Sequence, residues 1–148
     1  LDLDSQLATK HRSMTRLIKT TPAAELLNEC GIGTVTAAVV ITTWSHPGRV
    51  RSEAAFAALA GVNPIPASSG NTQRHRLNRG GDRRLNQALH MAIITRMTHH
   101  DDTRSYVERR TQEGKTKREI RRCLKRYLAR RIHRHLTRAY TQTPLDET

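Results

Sequence analysis

Apolar residues along this chain recur at three- and four-residue spacings, in segments separated by glycine, proline and small polar residues; the pattern predicts helices joined by breaks. Leu3, Leu7, Met14, Leu17 and Ile18 mark an amphipathic helix over Leu1 to Lys19, with Asp2 and Asp4 early and Lys19 late, as the helix dipole favours. Its narrow stripe suits an ordinary packing helix, or one lying on a partner helix or an absent domain. Thr21-Pro22 predicts a second helix carrying Leu26 and Leu27 up to Cys30. Gly31-Ile32-Gly33-Thr34 then turns the chain into Val35 to Trp44, a helix-hairpin-helix-like pattern. The run Val39 to Thr43 suits a strand by propensity, yet helix is the reading preferred. Ser52 caps a short helix over Glu53 to Ala60, and Trp44 and Phe56 are expected in the core, joining the two. Asp82 caps a helix through about His99, Asp101-Asp102 opens another that ends at Gly114, and Thr116 to about Tyr140 forms the longest.

Between these helices lies a polar stretch from Val62 to Arg84, where two prolines, three glycines and a Ser/Asn/Thr run disfavour helix. Loops this long in small domains are functional or disordered. Hydroxyls at Ser68 and Ser69 precede Gly70 and then Arg74, His75, Arg76 and Arg79, a set suited to holding a phosphate. On its own, the serine pair reads equally as a turn bonded to its own backbone. The expected fold is mainly α: a helical domain with a helix-hairpin-helix-like segment, a long polar active-site loop that leaves room for a short hairpin, and a long basic C-terminal helix. Residues 1–20 are read as a connector from an upstream domain, 21–140 as the domain proper and 141–148 as a flexible tail.

Charge sharpens this picture. The net charge of +13 and pI near 11.1 in 148 residues point to a polyanionic partner. Of 26 Lys/Arg only six lie before Arg74, with five of the 13 acids; the other twenty bases and eight acids follow. The long helix alone carries Arg118, Arg121, Arg122, Lys125, Arg126, Arg130, Arg131, Arg134 and Arg138 around the stripe Ile120, Leu124, Tyr127, Leu128, Ile132, Leu136. So dense a charge costs stability through self-repulsion unless a polyanion relieves it. Arg83 and Arg84 extend the basic set, and Gly31, Gly33 and Thr34 are candidate backbone contacts to phosphate at a helix start. Cys30 and Cys123 stand alone, which predicts neither a disulfide framework nor a zinc site. His90, His99 and His100 lack metal-ligand spacing and are expected to be solvated, while Asp101-Asp102 is explained by a helix start rather than by catalysis. No run is long and apolar enough to span a bilayer, and at 3% aromatics the chain lacks interfacial anchors.

Five motifs in order carry a family resemblance: Leu-Leu-Asn-Glu-Cys-Gly-Ile-Gly-Thr (26–34), Phe-Ala-Ala-Leu-Ala-Gly-Val-Asn-Pro (56–64), Ser-Ser-Gly (68–70), Arg-Gly-Gly-Asp-Arg-Arg-Leu (79–85) and Tyr-Val-Glu-Arg-Arg-Thr-Gln-Glu-Gly-Lys (106–115). Together they resemble the C-terminal, serine-bearing domain of the insertion-sequence one-ten (IS one-ten) transposases. The resemblance implies DNA recombination through a serine nucleophile, at Ser69 with Ser68 as the second candidate, and a covalent phosphoserine-DNA intermediate. It implies an upstream RuvC-like domain whose acidic tetrad binds Mg, no cofactor in this fragment, and a bacterial, nucleoid-associated cytoplasmic setting. DNA, for some members a structured guide RNA, and further copies in a homo-oligomer are the implied partners. Whether the fragment counts as an enzyme stays open, since without that tetrad it is expected to bind but not cleave. The alternative is a non-catalytic basic helical module that grips nucleic acid by shape; a ribosomal-type RNA binder would leave Ser-Ser-Gly unexplained.

Overall fold

The computed structural model describes residues 2–69, 72–77 and 81–142, with the backbone alone described over 64–69 and 72–77. Among the described residues the order is α1 (Leu3–Lys19), a 3-10 helix (Ala24–Asn28), α2 (Thr34–Trp44), α3 (Glu53–Leu59), β1 (Pro64–Ser69), β2 (Thr72–Leu77), α4 (Arg83–His99), α5 (Asp101–Gln112) and α6 (Lys117–Gln142). The protein is mainly α-helical. Within the polar stretch the backbone pairs β1 and β2 antiparallel, with Pro64 opposite Leu77 and Ser69 opposite Thr72.

Helix starts follow local chemistry. Ser52 Oγ accepts from Ala55 N at 3.0 Å and Asp82 Oδ1 from Leu85 N at 2.9 Å. Thr116 and Glu119 form a reciprocal capping box at the start of α6, with Glu119 Oε2 accepting from Thr116 N at 2.9 Å and Thr116 Oγ1 from Glu119 N at 3.2 Å. At α5 the cap is His100, whose Nδ1 accepts from Thr103 N at 3.3 Å and lies 2.7 Å from the Thr103 hydroxyl. Asp101 and Asp102 sit exposed in the first turn, where their charge complements the dipole.

The helix expected from Pro22 to Cys30 is instead a 3-10 helix of five residues. Ala23 and Leu26, both fully buried, are three residues apart, and three residues per turn places both inward without the length an α-helix requires. By contrast, Val35 to Trp44 is helical despite its β-branched residues, because Thr34, Ala37, Val40 and Trp44 bury one face at three- and four-residue spacing.

Helix α6 packs against α2, α3, α4 and α5 and supplies much of the core through Ile120, Leu124, Leu128, Ile132 and Leu136. The two expected aromatic core residues both meet α6. The Trp44 ring lies 5.0 Å from that of Tyr140, and Phe56 lies 5.8 Å from the His133 imidazole. His133 Nε2 is 2.9 Å from the Val50 carbonyl oxygen, so this buried polar group is satisfied. Truncating a ring buried this fully costs about 3–5 kcal/mol. Helix α1 is docked through its C-terminal end: Ile18 is buried and the Thr15 and Thr34 hydroxyls share a 2.7 Å hydrogen bond, while Leu3 and Leu7 remain exposed.

Candidate nucleic-acid interface

The polar excursion leaves and rejoins the helical body at one point. Its outgoing end follows Gly61, and its returning end passes so close that a Cβ on Gly81 would fall 2.4 Å from Gly61 Cα. Only a residue without a side chain permits that approach. Asp82 N donates to Leu59 O at 2.6 Å and Asn86 Nδ2 to Ala60 O at 2.9 Å, so the start of α4 is bonded to the end of α3. A hairpin carrying Ser68 and Ser69 therefore rises from a fixed neck. Ser69 ends β1, five residues beyond Pro64, which at ~3.3 Å per residue is about 17 Å of strand.

For Ser68, Ser69, Arg74, His75 and Arg76 the description covers the backbone only: Ala67 pairs with Arg74, Pro66 with His75 and Ile65 with Arg76. Arg79 lies outside the described residues. At the foot of the hairpin, Arg83 and Arg84 are exposed in the first turn of α4, which holds no acidic residue. Cations there oppose the helix dipole, so their position is not explained by helix stability.

Helix α6 divides into two electrostatic halves. Toward its C-terminus, Glu53 of α3 takes Arg134 Nε at 2.8 Å and Arg130 Nε at 3.4 Å. Glu29 takes Arg131 at 2.9 Å and Arg96 of α4 at 3.6 Å. The hydrogen bond from Arg134, with the charges of Arg134 and Arg130, holds the Glu53 carboxyl below the usual range. Burial raises Glu29, but Arg131, Arg96 and His135 outweigh it and the net shift is downward. Toward the N-terminus, Arg118, Arg121, Arg122 and Lys125 have no carboxylate within ion-pair distance among the described residues. Beside them, Arg126 lies 5.5 Å from the ring centroid of the half-exposed Tyr127, which meets Tyr106 edge-on at 6.0 Å. Burial, reinforced by Cys123 and Tyr127, pushes the Tyr106 hydroxyl up to about 12.

Of the three candidates at the glycine turn, Gly31 and Thr34 have packing roles. Gly31, at φ +85°, lies so close to α4 that a Cβ would stand 2.5 Å from Ala92 O. Arg96 closes the same contact, donating to Cys30 O at 3.0 Å. Thr34 is buried and bonded to Thr15, while Gly33 faces open space as the N-cap of α2. Among the described residues no three His, Cys, Asp or Glu come together to hold a metal ion, and residues 64–80 contain no acid. Among the described residues the donor set therefore does not fit a Mg site. No helix among the described residues is long and apolar enough to cross a membrane.

Fold and surface thus define a basic, mainly α-helical domain that carries a polar hairpin on a rigid neck. A family model described as Transposase IS116/IS110/IS902 family matches residues 23–108, more than half of the chain, and the chain belongs to that family. It is 30% identical over 102 residues to the insertion element IS110 uncharacterized 43.6 kDa protein of Streptomyces coelicolor, an alignment covering 68% of this chain and 25% of that protein. The chain spans about a quarter of the length of that relative. Helix α6 follows the segment that the family model matches.

Proposed function

We propose that this chain is the serine-bearing, nucleic-acid-binding part of a DNA transposase. The observation that carries the reading is the pairing of a rigidly footed Ser68-Ser69 hairpin with cations on α4 and α6 that form no ion pair among the described residues, in a chain of a transposase family. Ser69, or failing it Ser68, attacks a backbone phosphorus. A serine O–P bond forms as a bridging P–O bond of the strand breaks, the hydroxyl proton passes to a base, and the leaving oxygen takes up a proton. Because one phosphoester replaces another, the step is readily reversed for religation. Arg74, His75, Arg76 and Arg79 would offset charge on the phosphorane or move a proton.

A serine hydroxyl needs activation that these residues do not supply. We assign that role to an upstream RuvC-like acidic domain of the full-length protein with its Mg, acting in a homo-oligomer in the bacterial cytoplasm, with or without a guide RNA. The isolated chain then binds DNA without cutting it. The test is trapping of a covalent protein–DNA adduct with the full-length protein. Ser69→Ala should abolish the adduct and keep binding; an adduct that persists in both Ser69→Ala and Ser68→Ala sinks the nucleophile assignment. The absence of acids from residues 64–80 favours a second reading, a purely non-catalytic binding module, which predicts no adduct in any variant.

A further inference from the structure

Asn86 and Lys125 meet where α4 crosses α6, at the foot of the hairpin. Asn86 Nδ2 is held by Ala60 O at 2.9 Å, and its Oδ1 lies 3.4 Å from Lys125 Nζ. One helical turn along α4 from Asn86 stands His90, and one turn before Lys125 on α6 stands Arg121; all four are partly buried. Arg121 Nε is shielded from solvent with no hydrogen-bond partner. No carboxylate forms an ion pair with Arg121 or Lys125 among the described residues, and residues 64–80 of the hairpin and its approaches carry none in sequence. The contrast with Arg130, Arg131 and Arg134, each matched to Glu53 or Glu29, shows that this fold supplies acids where it neutralises α6.

We infer that Asn86, His90, Arg121 and Lys125 form a seat for a single backbone phosphate of a bound nucleic acid. The inference rests on the nucleic-acid reading above and adds a defined contact to it. A phosphodiester brings one negative charge and two non-bridging oxygens, which suits an unpaired guanidinium N–H, an ammonium and an imidazole N–H carried by adjacent turns of two packed helices. Gathering cations without an anion costs stability, and an arriving phosphate offsets that cost. Burial first, then the charges of Lys125 and Arg121, push the His90 imidazole below the ordinary value of 6.5. Burial and Arg121 lower the Lys125 ammonium in the same way. Helix α2, also packed on α4, has no ionisable side chain to face His90. The seat stands at the foot of the hairpin and Ser69 at the far end of β1. The seat thus fixes register rather than chemistry.

The experiment follows the His90 imidazole by NMR across pH in this chain, alone, with a short DNA duplex and with inorganic phosphate, alongside DNA affinity measured against salt. DNA should raise the His90 midpoint by about one unit or more. Lys125→Gln should abolish that rise and flatten the log affinity against log salt plot by about 1, while Lys125→Arg retains both. His90→Gln should remove the pH dependence of DNA affinity and weaken binding severalfold at the acid end, where the imidazole of the unaltered chain is charged. If DNA binds but leaves the His90 midpoint in place, or if inorganic phosphate alone moves it, the seat for a nucleic-acid phosphate is overturned and the wider binding reading stands. If the chain binds no DNA even at low salt, both fall.

Discussion

The two halves of α6 carry similar charge and do opposite things with it. In the C-terminal half Arg130, Arg131 and Arg134 reach back to Glu53 and Glu29, so the positive charge ties α6 to α3 and to the segment before α2. In the N-terminal half Arg118, Arg121, Arg122 and Lys125 form no ion pair among the described residues, which leaves their charge to a partner. A run of arginines on a helix is therefore not one feature. The few acids of a basic chain decide which of its cations are structural.

This division can be broken from either side. Replacing Arg118, Arg121, Arg122 and Lys125 together by Gln should lower DNA affinity by about a hundredfold or more and flatten its log-log salt dependence by about 3–4, measured by fluorescence anisotropy. The melting temperature should hold or rise as repulsion is relieved. Gly31→Ala attacks the structural side, forcing a side chain into a left-handed backbone position and against Ala92 O. A loss of about 2–4 kcal/mol in urea unfolding is expected, with the salt slope of DNA binding unchanged under native conditions.

Glu29→Gln with Glu53→Gln should cost about 1–2 kcal/mol together. Because it frees Arg130, Arg131 and Arg134 of α6, and Arg96 of α4, it should also tighten DNA binding severalfold and steepen the salt slope; unchanged binding would show that the two halves are not exchangeable. The smallest effect is a pH dependence of stability. Glu29 and Glu53 titrate below their ordinary value of 4.5 in the folded state, so their contribution is full above that value and lost as pH falls through the lowered folded values. His90 is lowered from 6.5, so the unfolded chain takes its proton first, and stability also declines as pH drops from 6.5 toward the folded value. His90→Gln should remove the upper component of the curve and the double Glu variant the lower one.

Much of the site was visible in the sequence as residue types without partners. The Ser68-Ser69 stretch, Arg83, Arg84 and the basic face of α6 could be named from composition and spacing, since like charges at helical intervals need no tertiary information. His90 and Asn86 could not, because nothing local distinguishes a partly buried polar residue from a solvated one. Glu29 and Glu53 did leave a signal, as two of only five acids before Arg74. Their partners, 81 and 102 residues away, were beyond any local pattern.

By itself the sequence determined the helices and most of their caps, because periodic burial, Ser52, Asp82 and Thr116 act within one turn of where they stand. Tertiary structure alone decided that Gly31 serves contact with α4, that a 3-10 helix replaces an α-helix before it, and that the hairpin closes on itself between Gly61 and Gly81. It also decided which arginines are already matched. Capping and amphipathicity are settled over a few residues, whereas close approach and charge pairing depend on the distance between elements that only the folded chain brings together.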